Sequence, residues 1–139
     1  MQPTSQVVLI VEDDPQLLAA MKRYVEAAGF GVVTACDYQS AMDLAQRTPV
    51  HVVCVDLGLP NESGYELCER IRMERALRFV PIVVTGERAF PEDMARAEEA
   101  GANAFLKKPF AMRLLRQSLE MLLEGAGESR PPIRRLRTA

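Results

Sequence analysis

Acidic, hydroxyl and lysine side chains follow four separate apolar runs of the chain. The residues that come directly after these runs are Glu12-Asp13-Asp14, Asp56, Thr85-Gly86 and Lys107-Lys108-Pro109. Any one of them alone is more simply explained by helix capping, but the whole set is not. Two carboxylates about 4 Å apart repel each other by roughly 4 kcal/mol at an effective dielectric constant of 20. Glu12, Asp13 and Asp56, if crowded together, therefore need a cation, and their hard oxygen ligands suit Mg²⁺ or Mn²⁺.

A carboxylate beside such a metal can attack phosphorus and form an aspartyl phosphate. The charge that develops on the phosphoryl oxygens then needs a metal, a second cation and hydrogen-bond donors. Lys108 and Thr85 supply the last two of these groups. The residue types therefore favour phosphoryl chemistry at an acidic metal site.

Five apolar runs alternate with segments of helical period. The runs that we interpret as strands are residues 7–11, 32–35, 50–55, 82–84 and 104–106. The connections are short, which favours parallel strands with helices on both faces of the sheet. Functional groups gather at the carboxyl ends of such strands. The pattern thus predicts an α/β fold whose polar residues share one edge of the sheet.

Composition limits the remaining possibilities. The chain has 139 residues and a formal charge of −2, and its first residues resemble neither a signal peptide nor a membrane span. We therefore expect a cytoplasmic protein with one folded domain, residues 1–124, and no membrane partner. Residues 125–139, with four arginines and one glutamate, are predicted to be a flexible basic tail or linker. The rest of the chain is acidic, which disfavours nucleic-acid binding.

Four motifs carry a resemblance to a known family. They are VLIVEDDP, VDLGLPNESGYEL, VVTG and GANAFLKKPF, in this order along the chain. From about Val7 to Leu123, their order and spacing resemble those of the response-regulator receiver family of bacterial two-component systems. The resemblance implies a flavodoxin-like, doubly wound sheet of five parallel strands in the order 2-1-3-4-5, with five helices.

The resemblance also implies roles for the acidic residues. Asp56 matches the phosphoacceptor, and Asp13 matches a direct ligand of Mg²⁺. Glu12 is similar to the acid that binds the metal through water. The backbone carbonyl of Gly58 corresponds to the third protein ligand.

Further positions correspond to the groups that sense the phosphoryl group. Thr85 resembles the switch hydroxyl, and Lys108 resembles the lysine that pairs with the phosphoryl group. The Lys108–Pro109 bond corresponds to a cis peptide in the family. Phe105 lies at the switch-aromatic position, without the hydroxyl of the more frequent tyrosine. Gly86 stands where alanine is usual.

By the same resemblance, the chain is a signalling switch rather than an enzyme, with self-catalysed phosphorylation and dephosphorylation. The implied phosphodonor is a sensor histidine kinase or a histidine phosphotransfer protein. The implied output surface is formed by the fourth helix, the fifth strand and the fifth helix. It would bind a downstream protein, and a phosphorylation-dependent homodimer is left open.

Three other functions fit the residues less well. A phosphatase of the haloacid-dehalogenase type would have a second acid two residues after its nucleophile, where this chain has Gly58. A flavodoxin-like cofactor binder would need a phosphate-binding loop after the first strand, where this chain has three acids. A nucleic-acid-binding module would depend on the arginines of the tail alone.

Overall fold

The computed structural model describes residues 6–60 and 62–125 and the backbone of residues 137–138. The predicted alternation of strands and helices is confirmed. The strands are β1 (Val7–Val11), β2 (Gly31–Ala35), β3 (Val52–Asp56), β4 (Ile82–Gly86), β5 (Ala104–Lys107) and β6 (Arg137–Thr138). The helices are α1 (Pro15–Ala27), α2 (Tyr38–Arg47), α3 (Gly64–Met73), α4 (Pro91–Ala100) and α5 (Met112–Gly125). A single 3-10 turn, Arg75–Leu77, lies between α3 and β4.

The strands form one parallel sheet in the order β2-β1-β3-β4-β5-β6. The order of the first five strands that the resemblance implies is therefore confirmed. The two-residue strand β6 was not predicted, and it pairs with Ala104 and Phe105 at the outer edge of β5. Residues 126–136 and 139 lie outside the described residues, so the flexible tail stays a prediction there.

Both faces of the sheet are covered, which explains why the strands are apolar without interruption. Leu9 of β1 belongs to a core layer that includes Leu67 and Phe105. The next residue, Ile10, belongs to the opposite layer, which includes Met21 and Leu115. Successive strand residues point to opposite faces, so each layer receives every second residue. The polar residues are thereby left for the ends of the strands.

Helix caps fix the loops at the carboxyl edge of the sheet. Asp14 accepts a hydrogen bond from the backbone N–H of Gln16 at 3.0 Å, and Pro15 is the first helical residue of α1. Ser63 and Glu66 form a reciprocal capping box at the start of α3. Such caps satisfy N–H groups that have no partner within the helix. Asp14 is therefore occupied as a cap.

Arg72 of α3 joins three other segments of the chain. Its guanidinium group donates to the carbonyl oxygens of Gly101 and Val80, each at 2.6 Å, and to Asn103 Oδ1 at 2.9 Å. The same Asn103 oxygen accepts the N–H of Ile82 at 2.8 Å. Arg72 therefore ties α3 to the start of β4 and to the loop between α4 and β5.

We expect Arg72→Met to destabilise the fold by about 2–4 kcal/mol, because it leaves several partly buried oxygens without donors. Urea unfolding followed by circular dichroism measures this loss. Arg70→Met is the matched control, since Arg70 on the same helix makes, among the described residues, only an i,i+4 ion pair with Glu74 at 2.9 Å. Equal losses in the two variants would show that the carbonyl contacts of Arg72 contribute little.

Candidate functional site

Three carboxylates meet where β1 and β3 end. Glu12 and Asp13 follow β1, and Asp56 is the last residue of β3. The two strands pair in parallel, with Val11 beside Val55, so their carboxyl ends lie side by side. One oxygen from each of the three carboxylates lies within 4.8 Å of the other two. Glu12 and Asp56 are 1% and 4% exposed, whereas Asp13 is open to solvent.

Lys108 is the cation that contacts this group. Its Nζ lies 2.9 Å from Glu12 Oε1 and 3.4 Å from Asp56 Oδ1. The loop that carries Lys108 is tied to β4, because the N–H of Lys108 donates to the carbonyl oxygen of Gly86 at 2.8 Å. The Lys108–Pro109 peptide bond is cis. The end of β5 thus brings an ammonium group to acids that follow two other strands.

The pKa values of Glu12 and Lys108 reflect this contact. Burial raises the pKa of Glu12, although the hydrogen bonds from Lys108 and from the N–H of Asp14 lower it. Burial acts to lower the pKa of Lys108, but the hydrogen bond to Glu12 and the charge of Asp56 outweigh it, so this pKa is raised. Lys108 therefore keeps its charge at neutral pH, and the carboxylate form of Glu12 is disfavoured by its surroundings.

The site has more negative than positive charge. Within the described part of the chain, the ion pairs of Glu12 and Asp56 both go to Lys108, and Asp13 adds a third carboxylate. When all four groups are ionised, three carboxylates and one ammonium group leave an excess of negative charge that one divalent cation would neutralise. Carboxylate oxygens are also the ligands that Mg²⁺ prefers. The residues present therefore fit a divalent metal ion.

The backbone around Asp56 depends on glycine for close packing. Asp56 Oδ1 accepts the N–H of Gly58 at 3.0 Å. Gly64, the first residue of α3, packs directly against the backbone of Asp56 and Leu57. A Cβ atom at Gly64 would overlap the carbonyl oxygen of Asp56 and lie 2.7 Å from the Cα of Leu57. A Cβ at Gly58 would meet only Asp56 Oδ1, at 3.7 Å. Gly64 therefore lets α3 approach the site, while Gly58 leaves open space beside the carboxylate.

Thr85 and Phe105 lie on the next two strands of the sheet. Thr85 is the register partner of Asp56, and its buried Oγ1 has no hydrogen-bond partner among the described residues. A buried hydroxyl without a partner costs about 1–3 kcal/mol, so this group gains from an incoming acceptor. Phe105 is 1% exposed, and its Cζ lies 3.3 Å from the position of a Cβ at Gly86. The absence of a side chain at Gly86 thus leaves room for the ring.

Five of the predicted site residues, Glu12, Asp13, Asp56, Gly58 and Lys108, line a cleft of about 560 Å³, together with residues that sequence reasoning did not assign to the site. Thr85 and Phe105 lie behind the cleft and do not line it. The residues not assigned from the sequence include Tyr65, Arg88, Asp93 and Arg96. They come from the first turn of α3, the first two turns of α4 and the loop before α4. The sequence gives one indication for Tyr65, which directly follows Ser63 and Gly64, the cap and the first residue of α3. The packing of α3 beside α4 is what brings the others to the cleft.

Comparison with known families identifies the family of the chain. Residues 8–120 match the family described as "Response regulator receiver domain". The chain is a response-regulator receiver domain. This receiver domain is 34% identical over 106 residues to the transcriptional regulatory protein KdpE of Mycobacterium tuberculosis, covering 76% of the chain and 46% of that protein. It is 32% identical over 128 residues to the response regulator protein GraR of Staphylococcus haemolyticus, covering 88% of the chain and 56% of that protein. The chain thus spans about half the length of these relatives.

Solved structures show the same fold. The chemotaxis response regulator CheY4 of Vibrio cholerae superposes with a TM-score of 0.83 at 29% identity, covering 86% of this receiver domain and all of that chain. A response regulator from Chloroflexus aurantiacus has a TM-score of 0.82 at 26% identity, covering 87% of this chain and 99% of that one. The phosphatase, cofactor-binding and nucleic-acid-binding interpretations gain no support from these comparisons. No helix in the described ranges has the length and apolar character needed to cross a membrane.

Magnesium ions should stabilise the folded receiver domain by relieving repulsion among Glu12, Asp13 and Asp56. At a concentration tenfold above the dissociation constant, we expect a gain of about 1.4 kcal/mol. Thermal unfolding with Mg²⁺ and with EDTA measures the effect. Asp13→Ala should raise the metal-free melting temperature and abolish the response, whereas Asp43→Ala, at an exposed position on α2, should leave the response intact. A wild-type melting curve that ignores millimolar Mg²⁺ and Mn²⁺ would contradict the metal site.

Proposed function

We propose that Asp56 accepts a phosphoryl group from a phosphohistidine and thereby switches the receiver domain between two states. One observation carries this proposal. A buried carboxylate in contact with Lys108 lies within 4.8 Å of two further acids and lines an open cleft. A structural ion pair would not need the two additional carboxylates, and it would not need access from solvent.

The surroundings of Asp56 favour one of its oxygens as the nucleophile. Oδ1 already accepts the N–H of Gly58 and contacts Lys108, so Oδ2 is the oxygen that we assign to the attack. A new bond forms between Oδ2 and phosphorus while the P–N bond to the donor imidazole breaks, and its electron pair returns to the nitrogen. Lys108 offsets charge on the phosphoryl oxygens. The buried Thr85 hydroxyl, which has no protein partner in the described part of the chain, donates a hydrogen bond to one of them.

A divalent metal ion belongs to this proposal, with Mg²⁺ preferred and Mn²⁺ as a substitute. Asp13 and Asp56 would bind it directly, Glu12 through a water molecule, and Gly58 through its backbone carbonyl. When bound, the metal neutralises charge on the carboxylates and on the phosphoryl oxygens. We assign the loss of the phosphoryl group by hydrolysis to this same site, without a separate enzyme.

Thr85 and Phe105 would transmit the change to a surface. Charge at Asp56 favours the packing in which the Thr85 hydroxyl points to the phosphoryl group and Phe105 fills the space behind it. The ring already lies in the space that Gly86 leaves open, so phosphorylation would stabilise a packing that the unmodified chain can reach. The surface formed by α4, β5 and α5 would then bind a downstream protein or a second copy of the chain.

The donor in this proposal is a sensor histidine kinase or a histidine phosphotransfer protein. The support is the family of the chain, since response regulators receive phosphoryl groups from such kinases. The receiver domain would then act in the compartment that holds the kinase domain, which we expect to be the cytoplasm.

Incubation with a small phosphodonor and Mg²⁺ should add one phosphoryl group to the wild-type chain and none to Asp56→Asn, because the amide lacks the nucleophilic oxygen. Intact-mass spectrometry measures the addition. Asp43→Asn is the control, since Asp43 is an exposed aspartate on another helix. Full modification of Asp56→Asn would place the phosphoryl group on a different residue.

Thr85→Ala should still accept the phosphoryl group but lose the conformational response, because it lacks the hydroxyl that follows the phosphoryl oxygens. Amide chemical shifts of residues near Phe105, recorded with and without a phosphate mimic, measure the response. Thr85→Ser keeps the hydroxyl and should retain most of it. If the wild-type shifts near Phe105 are the same in both conditions, the coupling between Asp56 and this ring does not exist.

A further inference from the structure

The cleft beside Asp56 is much larger than a phosphoryl group needs. Its volume is about 560 Å³, and it extends from Asp56 to the facing turns of α3 and α4. Gly58 and Gly86 both line it and contribute no side chains. The space beside Asp56 is therefore continuous with the part of the cleft that Tyr65 and Arg96 line.

Arg96 is an exposed residue that contacts Tyr65 in the distal part of the cleft, the part that these two residues line. Its guanidinium carbon lies 4.0 Å from the centre of the Tyr65 ring, within the range of a cation–π contact. The Tyr65 hydroxyl donates to the backbone carbonyl of Asp93 at 3.4 Å, which fixes the ring against α4. A guanidinium group stacked by its face keeps its N–H edge available for a planar anion.

The other charged groups of the distal part are already offset or open to water. Arg88 Nη2 lies 3.5 Å from Asp93 Oδ1, so Arg88 already has an acidic partner. Glu87 is an exposed carboxylate in the loop before α4. Arg96 makes no ion pair with any acid in the described ranges. It is therefore the cation of the distal part that is best placed to receive an anionic ligand.

We infer that Arg96 binds the leaving group of acyl phosphate donors and makes this receiver domain favour donors that release a carboxylate. The inference rests on the proposed phosphoacceptor role of Asp56. In this transfer the bond between Asp56 and phosphorus forms, the P–O bond to the acyl group breaks, and the acyl oxygen leaves as a carboxylate with the electron pair. The leaving oxygen departs on the side of phosphorus opposite the nucleophile, away from Asp56 and into the cleft.

Arginine matches the planar carboxylate that is released, because its N–H groups can bind two oxygens at once. Phosphoramidate provides the contrast. Its nitrogen is already protonated, so breaking its P–N bond releases neutral ammonia and no anion develops. Arg96 should therefore assist transfer from acetyl phosphate but not from phosphoramidate.

The test compares the rates at which Arg96→Gln accepts phosphoryl groups from acetyl phosphate and from phosphoramidate, both with Mg²⁺ and followed by intact mass. We expect the acetyl phosphate rate to fall about three- to tenfold, as for loss of one charge-assisted contact at a solvent-accessible site. The phosphoramidate rate should stay within about twofold of wild type. Arg116→Gln removes the same charge from α5, where Arg116 pairs with Glu120 outside the cleft, and should change neither rate.

One further variant, Arg96→Lys, and the wild-type rates separate the outcomes. Arg96→Lys keeps the charge and should retain more of the acetyl phosphate rate than Arg96→Gln, and it serves as the test if the glutamine variant does not fold. Equal losses with both donors, or no loss with either, would overturn the role of Arg96. A wild-type chain that neither donor modifies would instead overturn the phosphoacceptor role of Asp56.

Discussion

The contact of Lys108 with Glu12 and Asp56 sets one ammonium group against two buried carboxylates, with a third carboxylate, Asp13, at the surface beside them. Two carboxylates about 4 Å apart repel each other by roughly 4 kcal/mol at an effective dielectric constant of 20, and a single lysine offsets only part of this. The strand pairing of β1 with β3 forces the acids together, and the loop after β5 supplies the lysine. The fold thus maintains a charge imbalance that a bound divalent cation would relieve.

Close backbone packing determines what lies around these charges. Gly64 allows α3 to start against the backbone of Asp56, and Gly86 allows Phe105 to lie inside the sheet edge. Arg72 then fixes the far end of α3 to the strands and loops that flank α4. The two helices form one wall of the cleft, and the side chains at their facing turns are positioned by contacts some distance from the chemistry.

The sequence alone determined the fold class and the acidic part of the site. Strands that alternate with helices through short connections are parallel, so their carboxyl ends lie at one edge of the sheet. Residues that directly follow the apolar runs therefore lie near one another. This argument applies to Glu12, Asp13 and Asp56 without any knowledge of the family, because each position is counted from the end of its own strand. The order of the strands and the specific roles of Thr85, Phe105 and Gly58 came from the resemblance of the motifs.

Only the tertiary structure decided the rest. The stacking of Arg96 on Tyr65 joins residues of two helices, and no local pattern specifies how those helices rotate against each other. Arg72 binds the carbonyl oxygen of Gly101, which lies 29 residues away along the chain, and no sequence signature indicates this contact. The pairing of β6 with β5 involves two residues in a segment without strand periodicity. Strand-end positions follow from local periodicity and topology, whereas these contacts depend on the distances between packed elements, which the chain sets only when it folds.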